Sequence, residues 1–343
     1  MSLTGGRREF RRYDLLDLSD RVIGTLDGVT GGTIEGSIFN AIRSGGSVSV
    51  VDTDEIDWLT TRLGITYGEH TADEDETYPI GVYVVSAPSI SATPGSSART
   101  LTLLDKLSLL VEDKTDHSYV VAAAVVVTDA IATLLAGQRS TVTTSTETLD
   151  TAMVWPAGTA KLTIVNALLG AIGYFALSAD ASGALVASPY LAPEDRPVTW
   201  ELIDGTNALY KPTFSVSSER FSVPNKVVLV RTTPEGELTS TAVLDPASPY
   251  SYESRGRWIT DVRTDTEATS QEVLDAKTAT ILADAQRITE TITVSHPYLP
   301  FGLHDVVRFR SLRLGLDGNY AVSKQRHDLK TGDLVTSTLR RTL

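Results

Sequence analysis

Two six-residue segments, one in each half of the chain, constrain its fold more than any single motif. GVYVVS at 81–86 and GNYAVS at 318–323 share Gly, Tyr, Val and Ser at the same offsets. Each is followed within about twenty residues by a strand-like run of alternating polarity. The order before them also agrees: VSVVDTDEIDWLTTRLG precedes the first and ITVSHPYLPFGLHDVVRFRSL the second. A six-residue match alone arises by chance among strands. The matched order points to a duplicated β domain, and a repeat of this kind resets the architecture of the whole chain. At 343 residues the chain exceeds the size at which one hydrophobic core stops growing, so two or more domains are expected.

The segments around the repeat are β-rich. SGGSVSVVD (44–52) and YPIGVYVVSAP (78–88) carry Val and Tyr runs bounded by Gly and Pro, and ARTLTLLDKLSLLVED (98–113) begins as a strand and turns helical. DEDE (73–76) reads as a solvated loop and SATPGSS (91–97) as a hairpin loop. Past residue 200, strands are expected at 211–218, 225–233 and 238–245, the last two joined by the turn PEGE, and at 288–296, 305–314, 318–328 and 333–342. Residues 246–258 read as an extended loop. Thr269 and Glu272 form a capping-box signal for a helix over 269–287, with Val273, Ala276, Thr280 or Ile281, and Ile288 on one face.

The middle of the chain differs. VVVTDAIATLLAGQ (125–138) suits a short helix capped by Asp129 and ending near Gly137. Leu162, Val165, Leu169 and Ile172 then recur at helical spacing, and residues 174–190 read as strand, turn at Asp180 to Gly183, and strand. YLAPEDRPVTWEL (190–202), with Pro193 and Pro197, reads as a connector. The passage from Leu162 to Leu177 is the most apolar in the chain, but it is 16 residues long, includes Thr163 and Asn166, and stops at Ser178 and Asp180. A membrane span needs about 20 predominantly apolar residues. The passage is therefore core, with Gly170 and Gly173 as packing residues near the helix end and Gly183 in the turn.

Composition excludes several classes. A net charge of −13 and a pI near 4.9 argue against a general nucleic-acid binder, which needs clustered Lys and Arg. There is no cysteine, so disulfides and thiolate metal sites are out. The N-terminus MSLTGGRREFRRYD has no apolar core of a signal peptide.

The search for chemistry yields no site. Of the five histidines, only His296 and His304 are close in sequence; eight residues and two prolines between them do not make a zinc pair, and surface histidines are expected. Asp52, Asp54, Glu55 and Asp57 lack the Gly and Glu of a calcium loop and read as a solvated turn ahead of an anchoring Trp58. No nucleophile elbow or phosphate loop is present. The glycines at 170 and 173 fall late in a helical pattern, which does not suit a dinucleotide loop. RREFRR (7–12) reads as a solvated arm or a first strand. No catalytic, cofactor-binding or metal-ligating residue is assigned, and no cofactor is expected.

Taken together, SGGSVSVVDTDEIDWLTTRLGI, YPIGVYVVSAPS with RTLTLLDKLSLL, VNALLGAIGYFALSADASGALVASPY with RPVTWEL, SVPNKVVLV, SPYSYESRGRWI and LPFGLHDVVRFRSLRLGLDGNYAVS resemble the tail hub proteins of long-tailed bacteriophages. These are also called baseplate hub or minor tail proteins, and the contractile injection machines have equivalent hubs. The resemblance implies a mainly β fold with α+β insertions, in which two tail-tube-like β-barrel domains alternate with small α/β modules. The implied domains are 1–113, a first tube-like barrel; 114–200, a small α/β domain of helices and a hairpin; and 201–343, a second barrel interrupted by a helix-containing segment at about 246–288.

The resemblance further implies a non-enzymatic, homotrimeric ring that adapts a six-fold tail tube to a three-fold tip. Its partners would be copies of itself, the tail tube or distal tail protein, and tip, spike or fibre proteins. Genomic DNA would pass through the lumen without specific binding, with no membrane insertion by the chain itself. The protein would reside in the virion at the tail tip, after assembly in the host cytoplasm. The chain ends at STLRRTL, straight after the last expected strand, so no appended cell-wall-degrading domain is expected. Two other classes stay open: a tail-tip enzyme with paired carboxylates, marked by two facing acids in a pocket, and a carbohydrate-binding module, marked by Tyr250, Tyr252 and Trp258 exposed on one face.

Overall fold

The computed structural model describes residues 8–51, 56–70, 75–93, 96–205, 208–218, 221–233, 236–264, 271–285 and 289–342. The protein is mainly β, with one large, mostly antiparallel sheet, three small sheets and short helices; no closed barrel is present among the described pairings. It divides into two compact units, Met1–Thr213 with Val294–Thr338, and Phe214–Thr293 with Leu339–Leu343.

In the first unit the expected strands form close to their expected places. Ser44–Val51 lies between Val29–Ser37 and Ser96–Asp105, and the long strand Asp75–Thr93 pairs with both Arg62–His70 and Ser96–Asp105. Most of the expected loop at 91–97 is strand instead, because the ladder continues to Thr93 and Ser96; Pro94 and Gly95 lie outside the described residues. The expected loop at 73–76 is corrected at its end: Asp75 and Glu76 are paired with His70 and Glu69, while Asp73 and Glu74 lie outside the described residues. Tyr13, Leu26, Ile34, Val48, Leu63, Ile65, Tyr83, Leu101 and Leu103 share one apolar core, so strands distant in sequence curl around a common interior. Asp57 turns the chain ahead of Arg62, its carboxylate accepting from the Leu59 N–H, and Trp58 is buried; Asp52, Asp54 and Glu55 are outside the described residues.

The two matched segments occupy comparable strand positions. Leu316–Asp328 is, like Asp75–Thr93, the middle strand of an antiparallel meander. Tyr83 faces Leu63 across the ladder and Tyr320 faces Val307, and all four are fully buried. Ser86 Oγ donates to the Thr102 carbonyl (3.4 Å) and Ser323 Oγ to the Thr338 carbonyl (2.9 Å), each reaching the strand that follows. The two meanders meet through a pairing that no local signal foretells: Lys324–Asp328 runs antiparallel to Thr33–Ser37.

The α/β module contains helices Leu107–Glu112, Val127–Leu134 and Lys161–Ala171. In the last, Leu162, Val165 and Leu169 are buried as expected, but so are Ile164 and Leu168. A helix that is apolar nearly all round is a buried helix, which explains the passage that resembled a membrane span. It ends in a Schellman motif: Gly173 takes φ +68°, its N–H reaches the Gly170 carbonyl, and Tyr174 N–H reaches that of Leu169. Gly170 is corrected, since a Cβ there would meet nothing within 4 Å and no packing requires the glycine. Asp129 is also corrected: Val126 occupies the cap position and Asp129 lies in the first helical turn. The turn at Asp180–Gly183 forms as read, with Gly183 at φ +81° and its Cα so close to Val82 that a Cβ would lie 2.7 Å from the Val82 Cβ.

In the second unit, helix Gln271–Ala285 packs on a three-stranded sheet of Gly236–Val243, Lys226–Thr233 and Thr260–Arg263. Its expected face is rotated. Val273 and Ala276 are exposed, and Leu274, Thr278, Ile281 and Leu282 face Val227 and Leu229, because the larger leucines at i and i+8 bury more surface. Thr269 and Ile288 lie outside the described residues. The expected loop at 246–258 contains one helical turn, Tyr252–Arg255, capped by Ser251 Oγ, which accepts from Ser254 N–H.

Candidate functional site

The histidines are where sequence and structure part most sharply. His70 and His117 are on the surface, each beside an aspartate. The other three are built into the first unit. His296 is fully buried, its Nε2 2.8 Å from Ser337 Oγ and its Nδ1 2.6 Å from the Pro297 carbonyl. Gln325 Nε2 joins the cluster by donating to the Phe301 carbonyl (3.0 Å) and to Ser337 Oγ (3.3 Å). Burial pushes His296 down to about 4. His327 falls to about 4 through burial and the nearby His296 and Arg11; His304 does so through burial and the nearby Arg43 and Arg196. The signal that could have found them is the strand alternation of 289–296, which places His296 on the same face as the buried Ile292 and Val294.

His304 and His327 line a cavity of about 330 Å³ with Arg43, Ser44, Tyr83, Gln325 and the hairpin residues Ser178–Ala181. Tyr83 Oη lies 3.2 Å from Ser44 Oγ, and the phenol is raised by burial. Behind it, Asp105 accepts from the Ser44 N–H (2.7 Å) and the Leu107 N–H (2.9 Å), yet burial raises it to about 6. One carboxylate, Asp180, lines the cavity, and its Oδ1 is taken up by Ser182 N–H, Ser182 Oγ and Ala184 N–H. The cavity thus offers no facing pair of acids among the described residues. Among them, no group of three or more His, Asp or Glu is placed to hold a metal ion, and no helix is long and apolar enough to cross a membrane.

A second polar cluster fixes the start of the sheet. Asp20, at φ +62°, receives Arg62 Nη1 (2.8 Å) and Lys106 Nζ (2.7 Å), and all three side chains are buried. Burial alone would raise the Asp20 carboxyl, but the hydrogen bonds from Lys106 and Arg62 hold it below its ordinary value. Residues 8–12 of RREFRR form part of strand Arg8–Leu16, with Phe10 stacked on His70 and the Arg11 guanidinium 4.4 Å above the Tyr67 ring. In the second unit Tyr252 and Trp258 are exposed and stacked together, while Tyr250 is partly buried. Tyr250 packs with the apolar core under Arg255, while Trp258 stacks on Tyr252 at 4.7 Å and carries Lys226 Nζ 4.7 Å from its ring centre.

The chain is mainly β, with a large, mostly antiparallel sheet and short helices. No protein-family model and no curated protein matches the chain by sequence. Solved structures match it almost end to end. The tail protein from Neisseria meningitidis MC58 superposes with a TM-score of 0.61 at 13% identity, over 97% of this chain and 96% of that one. The 43 kDa tail protein of prophage MuSo2 from Shewanella oneidensis gives 0.63 at 13%, over 96% and 98%. A chain of the Francisella PdpA-VgrG complex gives 0.63 at 9%, over 99% of this chain and 59% of that one. The chain has the fold of phage tail proteins.

Proposed function

We propose that this chain is a structural hub of a phage-like tail, working by assembly and not by catalysis. The observation that carries the reading is a fold shared over nearly its whole length with phage tail proteins. In this reading residues 1–113 and 201–343 are two tube-like barrel domains flanking the α/β domain 114–200, with a helix-containing insertion at about 246–288. The matched meanders around Tyr83 and Tyr320 support the duplication. Three copies then present six quasi-equivalent surfaces, which lets one closed ring meet a six-fold tube on one side and a three-fold tip on the other. The tube or distal tail protein binds above and tip, spike or fibre proteins below. The net charge of −13 suits a lumen through which genomic DNA slides without specific binding. The assembled protein sits in the virion at the tail tip, after assembly in the host cytoplasm.

The test is the molar mass of the purified chain by light scattering, with particle images. Three-fold rings with a central channel are expected. Compact monomers at every concentration would overturn the reading.

A further inference from the structure

The first unit contains one continuous path of hydrogen-bonded strands, and both ends of it are open among the described residues. It runs from Val198–Ile203 through Val306–Ser311, Leu316–Asp328 and Val29–Ser37, and onward to Arg8–Leu16 and Val22–Thr25. Val22–Thr25 pairs with Arg8–Leu16 alone, and Val198–Ile203 with Val306–Ser311 alone. An open edge presents unpaired N–H and C=O groups that template pairing with another chain, and soluble proteins commonly blunt it with charge or proline.

The first end does the reverse. Val22 is 63% and Ile23 61% exposed. The pairing shifts register here, with Leu15 facing Gly24 and Leu16 facing Val22, so Ile23 is the extra residue of a bulge and both apolar side chains stand exposed. Leu18 and Leu59 add exposed apolar surface, Leu59 being 92% exposed. Leu16 pairs with Val22 on one side and Arg62 on the other, so the turn carrying Leu59 leads into the strand across Arg8–Leu16 from this edge. The buried bonds from Asp20 to Arg62 and Lys106 hold the chain just before the edge in one conformation. A preorganised apolar edge loses little freedom on binding.

The second end is complementary. Val198 opens an edge strand whose approach carries exposed Tyr190 and Leu191, and Leu312 beyond its far end is 70% exposed. Leu312 N–H donates to Asp204 Oδ2 (2.7 Å), so this apolar group sits beside the end of the strand. Charge differs between the ends as well. Exposed Arg21 leads into the first, whereas Glu194 and Asp195 are exposed ahead of the second; Arg12 is already paired with Asp14 (2.9 Å) and Glu201 with Arg308 (3.7 Å).

We infer that the occupant of each edge is the other edge of a second copy: strand Val22–Thr25 of one subunit pairs with strand Val198–Ile203 of the next. Contacts between two different patches are head-to-tail, and they generate a closed ring when the rotation between copies closes. The inference rests on the ring-forming hub reading and names the surfaces that make the ring.

Because the natural chain has no cysteine, cross-linking reads this contact without background. A full-length chain carrying both Ile23→Cys and Thr199→Cys, with Val22→Cys and Trp200→Cys as the neighbouring register, is oxidised and run on a non-reducing gel. Covalent dimers and trimers are expected from the double variants and none from any single variant. Cross-linked dimers from a single variant would mean a two-fold contact and overturn the proposal. Ile23→Lys and Val198→Lys, both at exposed positions, should each raise the concentration at which the assembly dissociates by about tenfold or more, with the unfolding midpoint unchanged. If the unsubstituted chain forms trimers that ignore these lysines and the double variants do not cross-link, the edge assignment falls and the ring reading stands. If it is monomeric at every concentration, both fall.

Discussion

The meanders around Tyr83 and Tyr320 share a strand order and a buried tyrosine, yet they accommodate interior polar groups in opposite ways. The first is bounded by charge: Asp20 clamps Lys106 and Arg62, and Asp105 is buried beneath Ser44 and Leu107. The second centres on neutral groups, His296, Ser337 and Gln325 joined by hydrogen bonds, with the buried Glu290 of the His296 strand paired to Arg341 (2.8 Å). The two meanders share backbone pairing and large apolar anchors and differ in which polar groups fill the gaps, provided each finds a partner.

Cutting the charged cluster should produce the largest effect. Asp20→Ala leaves two buried cations unpaired and is expected to cost about 3–5 kcal/mol, as breaking one side of a buried ion pair does. Denaturant unfolding of the full chain measures it. A loss below about 1 kcal/mol would mean that the cluster is hydrated and the contrast between the halves is only apparent.

Acid should then separate the two halves by sign. His296 has a folded pKa near 4 against 6.5 unfolded, so the unfolded chain binds more protons in that window. Its contribution is full above about pH 6.5 and is lost as pH falls toward 4, by up to about 3 kcal/mol. His304 and His327 act in the same direction. Asp105 acts oppositely: its folded pKa near 6 exceeds 3.8, so protonation between those values favours the folded state. Unfolding followed from pH 7 to 4 should show net acid loss, flattened by His296→Gln and steepened by Asp105→Asn. A profile unmoved by His296→Gln would remove the neutral network from the account.

Smaller tests sharpen the same contrast. Tyr83→Phe deletes the hydroxyl contact to Ser44 and should cost about 1 kcal/mol, read as a shift in denaturant midpoint. Arg308→Ala removes an exposed pair with Asp317 and should leave that midpoint in place. A shift from Arg308→Ala as large as that from Tyr83→Phe would show that surface charge, and not the interior, distinguishes the two strands.

Much of the fold was legible because its signals are short-range. The strand runs, the helix at 161–171, the Asp180–Gly183 turn and the repeated tyrosine strand each announce themselves within a few residues, where side-chain alternation and turn geometry act. The face of helix Gln271–Ala285 was misjudged because Val273 and Leu274 are both apolar, and only contact with Val227 and Leu229 selects between them.

The candidate site was hardly legible at all. His296 and Ser337 belong to different strands, and Arg43, just before strand Ser44–Val51, is far in sequence from His327, so nothing in the spacing of either pair brings them together. Asp20 and Lys106 look like ordinary surface charges until the ladder through Leu16, Arg62 and Val84 places them side by side.

By itself, then, the sequence determined most of the elements, the two matched tyrosine strands and the absence of cysteine. The tertiary structure decided which polar groups are interior and which apolar strands are left at the edges. The reason is physical: backbone propensity is settled over a turn or a few residues, whereas burial depends on which distant strands pair, and that follows only from the sum of apolar contacts made by the whole chain.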